Sequence, residues 1–256
     1  MICPKCNFNQ PEANTECAGC GIVFNKYYAH KESLLKYDQS VTSSIQEDTA
    51  KNRPAPYTIN LIKELFLHVK PEINPFYFGG RVLFFLIIVI WGWKFIFTPL
   101  ESNYTGKSFM HMINLPFHEA GHILFRPFGE FLSVLGGSMG QLLIPLTCFM
   151  TFIIKSRDTF AATISIWWLG ESFMDLAPYI NDARALRLIL LGGVTGRDVP
   201  GYHDWEYILT RLGWLEYDHT LAGIAYATGI LLMLLSFIWG GYLLYKQYKN
   251  IEMFST

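Results

Sequence analysis

The chain has 256 residues, of which 51% are hydrophobic and 16% aromatic, while only 16% are charged. Soluble globular proteins carry about 25% charged residues, so this composition, with a mean hydropathy of +0.24, argues against an ordinary soluble enzyme. The formal net charge of −1 excludes the basic footprint of non-specific nucleic-acid binding, so no nucleic-acid partner is expected. The length fits one domain with at most a small appendage, and the composition predicts a membrane protein.

Cysteines crowd the first twenty residues of the chain, in two C-x2-C pairs: Cys3, Cys6, Cys17 and Cys20. Such pairs form four-cysteine zinc sites, in which each pair lies in one tight turn and supplies two sulfur ligands to the metal. Asn7 and Gly21 follow the pairs, and both residue types tolerate the left-handed conformation that this turn needs. The alternative is a pair of disulfides. The pattern resembles a zinc ribbon at residues 1–28, expected in the reducing cytoplasm because no secretory signal precedes it.

The segment after the ribbon is polar and poorly patterned, so residues 29–58 are predicted to form a linker. Residues 59–81 are predicted to be a juxtamembrane segment that contains a short amphipathic helix. Apolar side chains recur at helical spacing from Ile59 to Val69, and Pro71 ends the pattern. This helix either lies on the membrane surface or packs beside the membrane domain.

The remaining residues, 82–256, are predicted to form the membrane domain. Long apolar segments there approach or exceed the length that crosses the hydrocarbon core; they are Val82–Thr98, Met139–Ile154, Phe160–Ile180 and Leu221–Tyr245. A fifth crossing near residues 109–131 stays open. The predicted fold class is an α-helical multi-pass membrane protein, with about four to five membrane helices and a small N-terminal zinc ribbon.

Basic residues give two interpretations of the membrane topology. Lys155 and Arg157 follow the second apolar segment, and Lys246 and Lys249 follow the fourth. By the positive-inside rule they place both termini of a four-span chain in the cytoplasm. The loop after the third segment argues the other way through its arginines, Arg184, Arg187, Arg197 and Arg211.

The third apolar segment is unusual because Glu171 and Asp175 lie at its centre, and Asp182 follows it. At positions i, i+4 and i+11, the three carboxylates share one helical face. An ionisable group at membrane depth is costly and by default marks a functional site lined by protein or water. The alternative is a polar stripe that serves only helix packing.

The pattern H-E-x-x-H occurs between the first two long apolar segments, at His118, Glu119 and His122. On a helix both imidazoles lie on one face and can bind one zinc ion, with Glu119 beside a metal-bound water. Zinc lowers the pKa of that water, and the carboxylate takes its proton as the water attacks a carbonyl. Asn114 is the expected N-cap and Pro127 the stop, so a helix of roughly 16 Å is predicted, too short to span and therefore broken or re-entrant.

The pattern resembles that of membrane-embedded zinc metalloproteases. The downstream Glu-x3-Asp is similar to the gluzincin arrangement, which implies Glu171 as the third zinc ligand and Asp175 as the residue that orients a histidine. A resemblance to the site-2-protease type implies Asp182 instead, since a later membrane helix supplies an Asp ligand there. The chain departs from site-2 proteases in having no clear Leu-Asp-Gly or Asn-Pro-Asp-Gly segment, which leaves the third ligand open.

Another polar group, with His203 and Asp204, precedes a predicted helix at about Glu206–Leu212. Asp204 is most simply the N-cap of that helix. His203 is a further candidate for the third zinc ligand, or for a catalytic residue that stabilises an oxyanion.

These patterns together predict an integral membrane zinc hydrolase, and the resemblance to membrane-embedded zinc metalloproteases implies an endopeptidase that hydrolyses peptide bonds in or next to the membrane. It would bind one catalytic and one structural Zn2+, and the resemblance implies a membrane protein or peptide as substrate. The zinc ribbon would bind a protein partner. Two other functions stay open, a non-enzymatic membrane adaptor and a metal or ion transporter. The concentration of polar groups in one short helix and one facing segment favours hydrolysis over transport.

Overall fold

In a computed structural model of the chain, residues 1–9, 11–33, 36, 57–69 and 74–255 are described. The chain divides into two compact units, Met1–Asn60 and Leu61–Thr256.

The first unit contains two tight turns, one at each C-x2-C pair. The amide of Asn7 donates to the carbonyl of Cys3 at 3.0 Å, and the amide of Gly21 donates to that of Cys17 at 2.8 Å. Asn7 and Gly21 have φ angles of 57° and 72°, which confirms the predicted left-handed positions. Helix α1 then covers residues 24–33, so the predicted linker starts inside a helix, while its residues 34, 35 and 37–56 lie outside the described part.

The other helices follow in chain order: α2 (Tyr57–Phe66), α3 (Pro75–Phe97), α4 (Phe109–Phe125), α5 (Glu130–Met150), α6 (Thr159–Asn181), α7 (Asp204–Leu212) and α8 (Asp218–Ser255). A π-helical segment, Thr151–Ser156, extends α5. The amphipathic helix predicted from Ile59 to Val69 is therefore α2, which ends at Phe66. The end of the predicted 59–81 segment belongs to α3, where Asn74 caps the helix by accepting from the amide of Phe76.

Within the described residues, three helical stretches are long and apolar enough to cross a membrane, Pro75–Phe97, Glu130–Ser156 and Leu215–Ile251. Helix α6 has 23 residues, a length of roughly 34 Å, but is not among them. Its apolar side chains are interrupted by two carboxylates and several hydroxyl groups, and most of the helix is buried in protein. The count of four to five membrane helices is therefore not shown.

Helix α6 forms the centre of the second unit and packs along α8 and against α5. Gly170 and Gly229 let α6 and α8 approach closely, because an added Cβ at Gly170 would lie 2.8 Å from the carbonyl oxygen of Gly229. An apolar core joins α6 and α8 to α3, with Phe95, Trp167 and Met233 almost completely buried. Where helices face water, burial of such large side chains is the main favourable contribution to their packing. Where they face lipid, close van der Waals packing between the helices takes that role.

Candidate metal centre

Helix α4 carries the H-E-x-x-H pattern and begins earlier than expected. Its N-cap is Ser108, whose hydroxyl accepts from the amide of His111 at 3.3 Å, so the expectation of Asn114 as the N-cap is wrong. Asn114 and Pro116 lie inside the helix, and the Asn114 side chain is 1% exposed. His118 and His122 consequently lie on one face of a continuous 17-residue helix, which is shorter than a full span.

Glycines bring the backbone of α5 against this face of α4. A Cβ at Gly121 would collide with the carbonyl oxygen of Gly136, and one at Gly140 with the carbonyl oxygen of Phe117. A Cβ at Gly137 would lie 2.5 Å from Nε2 of His122 and 2.6 Å from Nε2 of His118. The hydrogen at position 137 therefore leaves open the space into which both ring nitrogens point.

His122 is held in one orientation by α5. Its Nδ1 lies 2.9 Å from the carbonyl oxygen of Ser133, and the Ser133 hydroxyl donates to the carbonyl of His122 at 3.0 Å. Because a carbonyl oxygen only accepts, Nδ1 carries a proton in either charge state of the ring, so in the neutral ring the lone pair that can bind a metal is that of Nε2. This is the tautomer that histidine ligands of zinc commonly adopt through an outer hydrogen bond.

The third group at this centre is Asp204, the first residue of α7. Its Oδ2 lies 3.0 Å from Nε2 of His118 and 3.2 Å from Nε2 of His122. One ligand atom from each of these residues lies within 4.8 Å of the other two. Three ligands at about 2.0–2.2 Å from one zinc ion are about 3.3–3.6 Å apart at tetrahedral angles. The donor set suits zinc, and the two observed distances of 3.0 and 3.2 Å are a few tenths of an ångström shorter than that spacing.

Asp204 is positioned by the residues around the start of α7. Its amide donates to the Tyr179 hydroxyl on α6 at 2.9 Å. The N-cap of α7 is His203, whose Nδ1 accepts from the amide of Glu206 at 3.2 Å, so the interpretation of Asp204 as the N-cap is wrong. Burial works to raise the pKa of Asp204, but hydrogen bonds from the two α4 histidines outweigh it and lower that pKa to about 2. Asp204 is therefore an ionised carboxylate.

A cavity of about 560 Å³ opens onto the centre, a volume in the range of ligand-binding sites. Glu119 lines it together with the two α4 histidines and Asp204. The Glu119 carboxylate makes no hydrogen bond to any other described residue. A carboxylate that lines a cavity beside two imidazoles and has no hydrogen-bond partner is suited to accept a proton from water.

The structure places Glu171 and Asp175 in a separate polar cluster on α6. Glu171 is 0% exposed, and its Oε2 accepts from the Asn114 amide at 2.8 Å. Asp175 pairs with His111, whose Nδ1 lies 2.9 Å from Oδ1, and not with either histidine of the H-E-x-x-H pattern. Neither carboxylate is in the group of ligand atoms around His118 and His122.

Asp182 and His203, the other candidate ligands, also lie outside that group. Asp182 accepts from the amides of Arg187 and Leu188, at 2.8–3.0 Å, and so anchors the loop that leads to α7. His203 is 1% exposed, with Nε2 3.7 Å from Oδ2 of Asp182. Burial lowers the pKa of His203. Both residues therefore support the segment that presents Asp204.

A four-cysteine cluster occupies the first unit. Sγ of Cys3 lies 3.8 Å from that of Cys20, and Sγ of Cys6 lies 3.6 Å from that of Cys17. Four sulfur atoms about 2.3 Å from one zinc ion are about 3.8 Å apart in a tetrahedron. The cluster fits a zinc ion, and its distances are too long for disulfide bonds of about 2.05 Å.

Comparison of the chain with family models, curated proteins and solved structures found no match. Sequence reasoning missed Asp204 as a candidate metal ligand and assigned no role to His111. A signal for Asp204 existed in the polar group before α7, but a local capping role explained it equally well. Only the fold shows that this carboxylate reaches the two α4 histidines.

Proposed function

We propose that the chain is a membrane zinc metallopeptidase, with His118, His122 and Asp204 as zinc ligands and Glu119 as the general base. The observation that carries the proposal is the position of the Asp204 carboxylate. It comes from a segment 86 residues beyond His118, yet its Oδ2 lies 3.0 Å from the imidazole. Two histidines and one carboxylate leave a fourth coordination position open, as catalytic zinc sites require.

Bound zinc supplies a Lewis acid that polarises a carbonyl group and acidifies water. Side chains of the protein bind the metal and transfer the proton. His118 and His122 present their Nε2 atoms from one face of α4, and Glu119 accepts the proton from the attacking water and can return it to the leaving amine. The Tyr179 hydroxyl holds the backbone of Asp204, so the third ligand keeps its place while substrate enters the cavity.

A peptide fits the site better than a small metabolite because the cavity extends well beyond the metal centre. It continues along α4 and α6 to His111 and Asp175, and the loop at Leu188–Gly192 forms another wall. Since three helical stretches of this chain are able to cross a membrane, the substrate bond lies in or next to the bilayer. We propose a membrane protein or membrane-bound peptide as the substrate.

The four-cysteine cluster acts as a structural zinc site in this proposal. Four thiolates fill the tetrahedral positions, so the ribbon has no open position for catalysis. Zinc supplies folding free energy that so short a segment lacks, because its buried side chains are mainly two cysteines and Phe24. We assign the ribbon to the cytoplasm and to the binding of a protein partner.

Zinc content tests the metal sites directly. Elemental analysis of the detergent-purified chain should give about two zinc ions, with one left after Cys3→Ser/Cys6→Ser and one left after His118→Ala/His122→Ala. If the cysteine variant loses all zinc, the α4 histidines bind none and a non-enzymatic adaptor becomes the better proposal.

Glu119→Gln tests hydrolysis. The variant should keep both zinc ions and the thermal stability of the wild type but lose 100-fold or more of the cleavage of a membrane-anchored reporter, since general base catalysis contributes about 10²–10⁴-fold. The His219→Ala variant is a matched control, because His219 contacts Asn181 and does not line the cavity. Unchanged cleavage by Glu119→Gln would exclude the proposed role of Glu119.

A further inference from the structure

The far end of the cavity contains a third histidine, His111, with the carboxylate of Asp175 behind it. Asp175 is 6% exposed and accepts hydrogen bonds from three side chains. His111 Nδ1 lies 2.9 and 3.1 Å from its two oxygens, and Gln141 and Asn114 donate to Oδ2 at 2.9 and 3.2 Å. Three donors fix the position of this carboxylate behind the His111 ring.

His111 is fixed at one nitrogen and open at the other. Its Nδ1 faces Asp175, while the ring lines the cavity and its side chain is 39% exposed. Among the described residues, no group makes a hydrogen bond with Nε2. A carboxylate at 2.9 Å favours the protonated ring, in which both nitrogens donate, so Nε2 offers a hydrogen bond to whatever fills the cavity.

The position of His111 relative to the metal centre defines what it can reach. His111 and His118 are seven residues apart on α4, which is about 10 Å along the helix axis and places them on the same face. An extended peptide advances about 3.3 Å per residue. A chain whose scissile carbonyl lies at the metal centre therefore passes His111 about three residues further on.

We propose that His111 is a substrate-binding residue that donates a hydrogen bond from Nε2 to an acceptor oxygen of the bound chain, about three residues from the bond that is hydrolysed. This inference rests on the proposed function, since it takes the metal centre as the point of cleavage. The acceptor is a backbone carbonyl or a carboxylate. Asp175 is a positioning residue, because it contacts His111 and acts through it.

Hydroxamates test this inference without a known substrate, because their oxygens bind zinc directly. Three probes are compared by calorimetry on the zinc-loaded full chain in detergent. Acetohydroxamate reaches only the metal centre, and two peptide hydroxamates of about three residues reach His111 and end in an amide or a free carboxylate. The proteins are the wild type, His111→Ala, Asp175→Asn and the control His219→Ala.

We expect His111→Ala to keep its zinc and its affinity for acetohydroxamate, but to bind at least one extended probe about tenfold more weakly, as loss of a hydrogen bond to a charged group predicts. Asp175→Asn should cause a smaller loss for the same probe, and His219→Ala none. A loss confined to the carboxylate probe identifies a carboxylate as the acceptor, and equal losses identify a backbone carbonyl.

Two results would overturn the inference, and they distinguish failure of the His111 assignment from failure of the proposed function. If His111→Ala binds all three probes like the wild type, His111 does not contact the bound chain, while the metal centre stands. If wild-type protein binds no acetohydroxamate, or holds no zinc outside the ribbon, the proposed function fails and the inference fails with it.

Discussion

At the scale of single residues, Asp204 and Glu171 are the two carboxylates that compete as the third zinc ligand. Asp204 lies 3.0 and 3.2 Å from the two imidazoles, whereas Glu171 is bonded to Asn114. We expect Asp204→Asn to weaken zinc binding by the second unit 100-fold or more, because loss of a ligand exceeds the 10–100-fold cost of changing a supporting residue. Glu171→Gln should keep its zinc, since the amide retains the shape of the side chain.

Both variants are measured in the Cys3→Ser/Cys6→Ser background, so that zinc content reports the second unit alone. Retained zinc in Asp204→Asn together with lost zinc in Glu171→Gln would restore the gluzincin-like assignment. The thermal unfolding midpoint of each variant shows whether a loss of zinc reflects a loss of fold.

Gly137 gives a second prediction at this scale. In Gly137→Ala the new methyl group would lie 2.5–2.6 Å from the Nε2 atoms of both histidines, well inside van der Waals contact. Since the α5 backbone is fixed by its contact with α4, the rings must move, and we expect zinc affinity to fall at least tenfold. Zinc titration against a competing chelator measures this.

Gly223→Ala is the matched control for Gly137→Ala. Gly223 lies in α8, and an added Cβ there meets no other atom within 4 Å. The Gly223→Ala variant should leave zinc affinity unchanged and should slightly increase the stability of α8. If both substitutions behave alike, the space at position 137 does not matter to the metal centre.

At the scale of elements, the segment between α6 and α7 acts as a support for Asp204. Asp182, at the end of α6, binds the amides of Arg187 and Leu188 and so fixes the start of this loop. In Asp182→Ala both amides, which are only partly buried, lose a hydrogen bond to a charged group, at a cost of about 1–3 kcal/mol. We expect zinc affinity to fall several-fold and trypsin to cut faster at Arg184 and Arg187, which are exposed.

Asp198→Ala provides the comparison within the same loop. The Asp198 carboxylate bonds the amide and hydroxyl of Thr195 in an exposed turn and does not contact the start of α7. The Asp198→Ala variant should change neither zinc affinity nor the rate of trypsin cleavage at Arg184. Equal effects of Asp182→Ala and Asp198→Ala would mean that any loosening of the loop disturbs the centre.

The sequence predicts an element correctly where a short-range pattern determines it, and fails where contacts between distant parts of the chain do. The H-E-x-x-H spacing is local and places both histidines on one face of α4. The start of α4 was predicted wrongly because Asn114 has the chemistry of an N-cap. In the fold its side chain instead joins the buried cluster of α6, where Trp168 donates to its Oδ1 at 2.9 Å. Asp204 depends entirely on contacts across the chain, so periodicity and spacing could not identify its role.

At the scale of the whole second unit, contacts between helix ends decide how many helices cross the membrane. Arg81 near the start of α3 binds Asp158, the N-cap of α6, at 2.8 Å. Lys246 near the end of α8 donates to the carbonyl of Leu67, just after α2, at 2.7 Å, and the ring of Tyr248 packs against that of Phe78 near the start of α3. The end of α8 therefore lies at the same level as the starts of α3 and α6.

This arrangement predicts four crossings, because α3, α5, α6 and α8 then alternate in direction and α8 returns to the side from which α3 departs. Three crossings would leave the C-terminus on the opposite side, away from Leu67, which contradicts the contact of Lys246. In such an arrangement, the burial of α6 among its neighbours would shield its two carboxylates from lipid. We thus expect the N-terminus and the C-terminus in one compartment, and the basic residues after α5 and near the end of α8 favour the cytoplasm for it.

Epitope tags at the N-terminus, after Thr256 and at the exposed Gly193 test this topology in intact cells. The two terminal tags should be protected from an external protease until the cells are permeabilised, and the Gly193 tag should be cleaved from outside. Such a pattern places the opening of the cavity, which Gly192 lines, on the outer side of the membrane. A C-terminal tag that is accessible while the N-terminal tag is protected would establish an odd number of crossings and remove α6 from the membrane-spanning set.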